Sequence, residues 1–179
     1  PFYSPITSLF RELENDYLVF GDAQFIGGKN QVIPANTQSL SPYFTGGTKT
    51  VVISALETIS MSDSFTWETP EQTDTRLVIM SGGNMGLAKG MSMKSATSDL
   101  LLSSKVNMNL EQVTLEVAKE IAIRGLEDVE LNSVTLGSSA QGPIKARRSL
   151  HVDGLTFSRS VAKILMEATT MRLSNVNFP

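Results

Sequence analysis

The residues of this chain best suited to acid–base chemistry are its histidine and its carboxylates. His151 is the one histidine in the sequence, and an imidazole titrates near neutral pH. Glu130 precedes it and Arg172 follows it at the same sequence spacing of 21. These side chains could form a proton-transferring group only if the chain folds back on itself at this same interval. A histidine at the surface with a mild charge partner is the commoner outcome of such a pattern.

No established catalytic or binding motif is present. The sequence contains no Gly-x-Ser-x-Gly nucleophile elbow, no His-Glu-x-x-His metal motif and no glycine- and aspartate-rich calcium repeat. Gly82–Gly86 superficially resembles a phosphate-binding loop, but no helical pattern follows it, which favours a turn between strands. Asp153 could approach Glu130, whereas the other carboxylates are scattered along the chain. We therefore expect no catalytic residues, no cofactor and no metal site.

Length, charge and cysteine content exclude several classes of protein. The 179 residues, 41% of them hydrophobic, suffice for one domain with its own core. A net charge of −3 does not suggest a nucleic-acid partner. The absence of cysteine excludes disulfide bonds and thiolate zinc sites. No apolar run approaches the length of a transmembrane segment, about 20 residues.

Apolar residues recur at a constant spacing in the second half of the chain. In residues 108–115 they occupy relative positions 1, 3, 6 and 8, and this pattern returns three times, each time at a spacing of 21. A fixed period of this length indicates a repeat architecture. The four copies are Met108, Leu110, Val113, Leu115; Val129, Leu131, Val134, Leu136; Leu150, Val152, Leu155, Phe157; and Met171, Leu173, Val176, Phe178.

Upstream copies have a longer spacing and add a third apolar pair. The spacing there is 22 or 23, and the copy that starts at Val51 precedes the next by a uniform 26, which aligns Phe65 with Met91. Each copy therefore contains three short segments in which two apolar residues flank one outward residue. This period of two is typical of a β-strand.

A unit of this size cannot bury its apolar faces alone, but successive units can do so by coiling and stacking. Neighbouring coils would then form three parallel sheets with strands about 4.8 Å apart. The short corners, such as Asp153-Gly154, are rich in turn formers and cannot hold a helical crossover. A meander of β-hairpins is the alternative, but that fold would not require the constant spacing of 21 residues. We predict an all-β fold, a parallel β-helix (β-solenoid) of about six coils of three short strands over residues 48–179.

Residues 1–47 do not share the repeat and are expected to form an N-terminal helix/strand capping or flanking segment. Ser4-Pro5 predicts the start of a short helix. Gln24–Ile26 predicts a strand, and Gly27–Asn30 predicts a turn. The first coil of a solenoid exposes an open apolar end, which such a segment would cover.

The middle residue of the first strand in each coil forms a column that is mostly apolar, although it points outward. A sheet that is apolar on both faces is expected to be covered. The N-terminal segment, a neighbouring molecule or more of a longer chain could provide that cover. We predict an interaction surface at Val52, Val78, Leu101 and Leu165, with Lys145 assigned to the same column.

Hydroxyl groups dominate the outward column of the third strand, as on the flat faces of ice-binding solenoids. Such faces normally carry two parallel threonine columns, and the second is missing here. Threonine is also simply a favoured strand residue. The column contains Thr66, Ser92, Thr114, Thr135, Thr156 and Asn177.

In repeat length, strand number per coil and corner residues, residues 48–179 resemble the bacterial secreted parallel β-helix proteins. This group includes filamentous-haemagglutinin-like adhesins and pectate-lyase-like enzymes, and the resemblance implies right-handed coiling. We expect a non-enzymatic, extracellular or cell-surface module, structural or adhesive, of a bacterial surface or filament-forming protein. It would self-associate end to end or laterally, or continue in a longer chain. The alternatives are a carbohydrate-active β-helix enzyme of the polysaccharide lyase or hydrolase kind, and an ice-binding solenoid.

Overall fold

The structure, a computed structural model, describes residues 23–33, 50–61, 65–66, 75–96, 98–161 and 163–178. Its regular structure in these ranges consists of fifteen β-strands, and all of their pairings are parallel. The strands are β1 Ala23–Ile33, β2 Thr50–Met61, β3 Phe65–Thr66, β4 Thr75–Ser81, β5 Met85–Leu87, β6 Ser92–Ser95, β7 Ser98–Ser104, β8 Met108–Glu111, β9 Thr114–Val117, β10 Glu120–Gly125, β11 Asp128–Gly137, β12 Ala140–Ala146, β13 Ser149–Phe157, β14 Leu165–Glu167 and β15 Thr170–Asn177. The predicted all-β parallel solenoid is confirmed.

Strand pairing forms three parallel sheets that share the longest strands. The first sheet stacks β2, β4, β7, β10, β12 and β14, and these six strands enclose five turns of the chain. The second sheet runs from the end of β2 through β5 and β8 to the first halves of β11, β13 and β15. The third contains β3, β6, β9 and the second halves of those long strands. Each coil contributes one strand segment to each sheet, as the three apolar pairs predict.

The constant spacing of 21 corresponds directly to strand register. Met108 is paired with Val129, Val129 with Leu150, and Leu150 with Met171. Farther upstream, Leu77 is paired with Leu100 at a spacing of 23 and with Val51 at 26. The predicted alignment is confirmed for the second strands, and for the first strands from β2 to β10.

Inward-facing apolar residues form one continuous core along the coil axis. Leu110, Leu131 and Val152 are fully buried and stack in adjacent coils. Met171 and Leu173 continue these columns on β15 but are 40% and 41% exposed. They were predicted to be buried. Their exposure follows from the pairing of β15, which among the described strands has only β13 as a neighbour.

The corner between the second and third sheets contains one left-handed residue per coil. Such a backbone conformation is rare for residues other than glycine, asparagine and aspartate. At Gly154 a Cβ atom would also lie 3.1 Å from the backbone nitrogen of Ser133 in the preceding coil, so a side chain fits poorly there. The residues and their φ values are Gly90 83°, Gln112 52°, Ser133 53°, Gly154 84° and Asn175 52°.

The stacked strands begin earlier than the predicted boundary at residue 48. β1 lies parallel to β2, with Ala23 paired with Thr50 and Ile33 with Met61. The turn predicted at Gly27–Asn30 is wrong, because β1 runs through it with only a shift of register between Gly28 and Asn30. A β-bulge accommodates such a shift without ending the strand. The helix predicted to start at Ser4-Pro5 lies outside the described residues.

Two predicted alignments are wrong by two residues. Phe65 is paired with Met93, not Met91. On the first sheet Leu165 is paired with Pro143, so that Lys145 does not belong to the same column. The cause on the first sheet is a register shift between β10 and β12, where the partners of Ile121 and Ile123 are three residues apart rather than two.

Candidate functional site

Glu130, His151 and Arg172 lie side by side on the outward side of the second sheet. The register pairs His151 with both of the other two residues. Glu130 and His151 are half-buried, and the amide nitrogen Nδ2 of Asn132 donates a hydrogen bond to Glu130 Oε1 at 3.1 Å. The proximity predicted from their constant sequence spacing is therefore confirmed.

Amide and carboxylate side chains form a ladder where the second sheet begins. Asn107 N donates to Asn84 Oδ1 at 3.3 Å, and Asp128 N donates to Asn107 Oδ1 at 3.2 Å. The Ser149 hydroxyl continues the ladder by donating to Asp128 Oδ1 at 2.7 Å. Each side chain thus satisfies a polar group of the next coil, which is a structural role. The sequence signal for these residues is their spacing, which matches that of the apolar repeat and belongs to no established catalytic motif.

Asp128 is the most strongly perturbed carboxylate of this ladder. Arg148 Nε donates to its Oδ1 at 2.9 Å. Hydrogen bonds from the side chains of Arg148 and Ser149, in that order, hold the pKa of Asp128 far below its ordinary value of 3.8. The same hydrogen bond raises the pKa of Arg148. A carboxyl group held ionised in this way cannot donate a proton near neutral pH.

Asp153 is held in the same manner at the corner that follows. Asn175 Nδ2 donates to Asp153 Oδ1 at 2.7 Å, and the Ser174 hydroxyl donates to the same oxygen at 3.1 Å. These hydrogen bonds lower the pKa of Asp153, and the charges of His151 and Arg172 lower it further. The approach of Asp153 to Glu130 considered from the sequence is limited, because Asp153 is paired with Asn132 and Glu130 with His151.

The low pKa of Asp128 leads to a prediction about stability and pH. A carboxylate with a folded-state pKa below its unfolded value stabilises the fold above that unfolded value, and the contribution is lost as pH falls toward the folded-state pKa. Asp128→Asn should therefore lower the Tm by a few degrees at neutral pH, and the difference from the parent should shrink as pH falls below about 4. Thermal unfolding at a series of pH values measures both the difference in Tm and its dependence on pH. Glu127→Gln is the control, because Glu127 Oε2 lies 3.7 Å from Arg148 Nη2 and its removal should have a smaller effect. A difference for Asp128→Asn that does not change with pH would contradict the prediction.

A depression of about 420 Å³ lies on the outward side of the second sheet beside this ladder. Asn109, Asp128, Glu130 and two further asparagines line it. Gly86 contributes no side chain, and the nearest atom to a Cβ added there is Asn109 O at 4.0 Å. Amides and carboxylates of this kind can hydrogen-bond the hydroxyl groups of a sugar.

Two buried serines hold the corner between the first and second sheets. Ser81 Oγ lies 2.9 Å from the carbonyl oxygens of both Glu57 and Asn84. Ser104 Oγ, one coil later, lies 2.6 Å from Gly83 O and accepts a hydrogen bond from Val106 N at 3.2 Å. These hydroxyls satisfy backbone groups that the corner leaves without ladder partners. Sequence reasoning missed them because buried serine has no apolar signal.

The outward face of the first sheet is largely inaccessible within the single chain. Val52 is 1% exposed, Val78 and Leu101 are fully buried, and Leu165 is half-buried. Three of these four side chains are therefore covered by other parts of the same chain. Contact of this face with a partner stays a prediction, and among the four residues Leu165 alone has surface left for it.

The hydroxyl column of the third sheet is shorter than predicted. Ser92 is paired with Thr114, and the column continues through Thr135 and Thr156. Thr66 is outside it, because its partner is Lys94. In the described coils, the neighbouring outward column holds no second row of threonines.

Two further features, a metal site and a membrane-spanning helix, are absent from the described part of the chain. Within it, no group of three or more His, Asp or Glu side chains is placed to hold a metal ion. No helix in these ranges has the length and apolar character required to span a membrane. Comparison of the chain with protein-family models, curated proteins and solved structures found no match.

Proposed function

We propose that this chain is a non-enzymatic structural or adhesive module of an extracellular bacterial surface or filament-forming protein. The observation that carries the proposal is the use of the charged side chains. In the described coils, carboxylates repeatedly bind a side chain one coil away, so they join neighbouring coils. The resemblance of residues 48–179 to bacterial secreted β-helix proteins supports the extracellular location.

Five of these pairs illustrate the pattern, and each pair joins two adjacent coils. Exposed ion pairs contribute little individually, but a regular series along one axis opposes bending and slipping of the stack. A stiff rod suits a spacer or a filament. The pairs are Lys89–Glu111 at 2.9 Å, Lys94–Glu116 at 3.2 Å, Lys145–Glu167 at 3.8 Å, Arg148–Asp128 at 2.9 Å and Asn175–Asp153 at 2.7 Å.

Self-association through β15 is part of the proposal. Met171, Leu173 and Phe178 are 40%, 41% and 60% exposed and belong to columns that are buried in earlier coils. Exposed apolar side chains beside a strand edge favour the addition of a further strand. A further coil, from a second copy or from more of the same polypeptide, would cover them.

Light scattering at micromolar concentration, together with the intact mass of the native protein, tests self-association. We expect an assembly larger than a monomer. Leu173→Lys should reduce the assembled fraction, because it places a charge on the apolar edge. Thr156→Lys, which adds the same charge to an exposed outward position of β13, should not. A native protein of this length that remains a monodisperse monomer would contradict the proposal.

A carbohydrate-active enzyme is the second candidate, favoured by the polar depression at Asp128 and Glu130. The fixed ionisation of Asp128 leaves Glu130 as the carboxyl group available for proton transfer there. Incubation with a panel of neutral and acidic polysaccharides, followed by assays for new reducing ends and unsaturated uronates, separates the two functions. Turnover that Glu130→Gln abolishes while the fold is retained would favour the enzyme over the structural module.

A further inference from the structure

The apolar residues at β15 are spaced symmetrically about the corner between the second and third sheets. They occupy positions 1, 3, 6 and 8 of an eight-residue segment, so their order is the same in both chain directions. The centre of this pattern lies between Ser174 and Asn175, where the strand turns from one sheet to the next. β15 has only β13 as a neighbour among the described strands, so its other edge has no partner in this part of the chain. The four apolar residues are Met171, Leu173, Val176 and Phe178.

This symmetry makes β15 complementary to β15 of a second copy in the antiparallel direction. A two-fold axis through the corner places Met171 opposite Phe178 of the second copy. The same axis places Leu173 opposite Val176 of the second copy. Apolar residues thus meet apolar residues at all four positions, and the three that are exposed in the single chain would be buried between two copies.

The outward residues of β15 and the first sheet are compatible with the same axis. Arg172 would lie opposite Asn177 of the second copy, so the two arginines do not meet, and like charges directly opposite each other would destabilise the pairing. On the other side of the coil the axis crosses the first sheet, whose final strand β14 has only β12 as a described neighbour. β14 would meet β14 of the second copy there, and the half-buried Leu165 would lie at the contact.

Head-to-tail stacking, with β1 of one copy on β15 of the next, matches less well. Strand register continues the column of Met171 back through the coils to Gln31 on β1. A head-to-tail contact would therefore set Gln31 in line with Met171, whereas the two-fold contact sets Phe178 opposite Met171. Burial of an amide without a hydrogen-bond partner costs free energy, so the apolar edge of β15 favours a second β15.

We propose that two copies of this chain join through β14 and β15 about a two-fold axis and form a closed dimer. Its basis is the proposed self-association through β15, to which it adds the orientation of the second copy. In such a contact each copy uses the same surface, so no apolar edge is left for a third chain. A head-to-tail contact would leave that edge free at one end and continue into a filament. The dimer is a rod of doubled length with a β1 strand toward each end.

Light scattering of the 179-residue chain across a range of micromolar concentrations tests whether the contact is closed. We expect the mass of two chains, which stays constant once the dimer has formed and the concentration is raised further. A monomer at every concentration would contradict self-association itself, and the dimer with it. A mass that grows continuously with concentration would leave self-association standing but overturn the closed dimer.

Engineered cysteines test the orientation of the two copies, because the chain has no cysteine of its own. A disulfide requires two Cα atoms within about 7 Å of each other, and residues opposite each other in an antiparallel pair meet this requirement. Arg172→Cys/Asn177→Cys should therefore form a disulfide-linked dimer under mild oxidation, detected by non-reducing gel electrophoresis. Neither single variant should do so, because the corner separates the two copies of each residue.

Val32→Cys/Arg172→Cys is the matched control. Strand register places Val32 in the column of Arg172, so head-to-tail stacking is the arrangement that would bring these two positions together. The control should remain unlinked, and a disulfide in it would overturn the two-fold contact. A dimer in which neither double variant is linked would also overturn it, since the copies would then meet through another surface.

Discussion

Replacement of Leu131 by aspartate should unfold this solenoid or reduce its free energy of unfolding by several kcal/mol. Leu131 is fully buried between Leu110 and Val152 of the neighbouring coils. An ionised carboxylate at this position has no cation or donor in the surrounding apolar column, and burial of an unpaired charge is among the most destabilising changes known. Urea unfolding followed by far-UV circular dichroism measures the loss.

Two further variants keep this experiment informative if the aspartate variant does not fold. Leu131→Ala removes packing without adding charge and should cost about 2–5 kcal/mol. Thr135→Asp adds the same charge on the same strand at a half-buried outward position, and should change stability by about 0.5 kcal/mol or less. If Leu131→Asp unfolds at the same urea concentration as the parent, Leu131 does not face the interior and the register is wrong.

The sequence was sufficient to predict this register because the repeat specifies both spacing and face. A shift of one residue would turn every apolar side chain outward, so the positions of Met108, Leu131 and Leu150 allow only one alignment of the later coils. The corners agree with it, since Gly154 and Asn175 tolerate the left-handed conformation that each corner requires.

A shift of two residues is different, because it leaves the same side chains facing inward. This explains why Phe65 was aligned with Met91 when its partner is Met93. The same ambiguity misplaced Lys145, since the irregular register near Pro143 changes the spacing without changing the face. The wrong alignment therefore did not show that Lys145 is paired with Arg124. Apolar patterns determine the face of a strand more reliably than its partner.

A strand was expected at Gln24–Ile26 and lies within β1, but its place in the stack was not predicted, for a related reason. Its residues Gln24 and Gln31 are paired with Val51 and Ile59, which belong to the apolar columns of later coils. Polar residues at these positions remove the pattern on which the repeat was recognised. Backbone pairing does not depend on side-chain type, so the strand continues the sheet without the signal.

The structure shows why the corner at Gly83 should tolerate no side chain. A Cβ atom at Gly83 would clash with the backbone carbonyl oxygen of Glu57 in the preceding coil. That carbonyl also lies 2.9 Å from Ser81 Oγ, and Gly83 O is bound by Ser104 Oγ at 2.6 Å. Gly83 is therefore packed between two coils whose backbones the buried serines hold in place. Neither backbone can move without loss of a buried hydrogen bond.

Gly83→Ala should consequently destabilise the fold by about 1–3 kcal/mol, the usual cost of forcing an atom into a packed interior. Gly86→Ala, in the strand that follows, is the matched control, because its added Cβ would meet nothing nearer than 4.0 Å. Neither glycine is in the left-handed region, where the described glycines are Gly90 and Gly154. Both substitutions thus restrict the unfolded chain alike, which by itself stabilises by about 0.4–1 kcal/mol. The changes in the free energy of unfolding should therefore differ in sign as well as in size, with Gly83→Ala destabilising and Gly86→Ala stabilising.

Chemical unfolding of both variants, of Ser81→Ala and of the double variant Ser81→Ala/Gly83→Ala tests whether the clash at position 83 also weakens the hydrogen bond of Ser81. If alanine at position 83 displaces the Glu57 carbonyl, the hydrogen bond of Ser81 is already weakened in that variant. Removal of the Ser81 hydroxyl should then reduce the free energy of unfolding less in the Gly83→Ala variant than in the parent. The effects of substitutions at residues that share a contact are not additive. A Gly83→Ala protein as stable as Gly86→Ala would show that the two coils are farther apart at this corner than the structure places them. Additive losses would show that the clash and the hydrogen bond are independent.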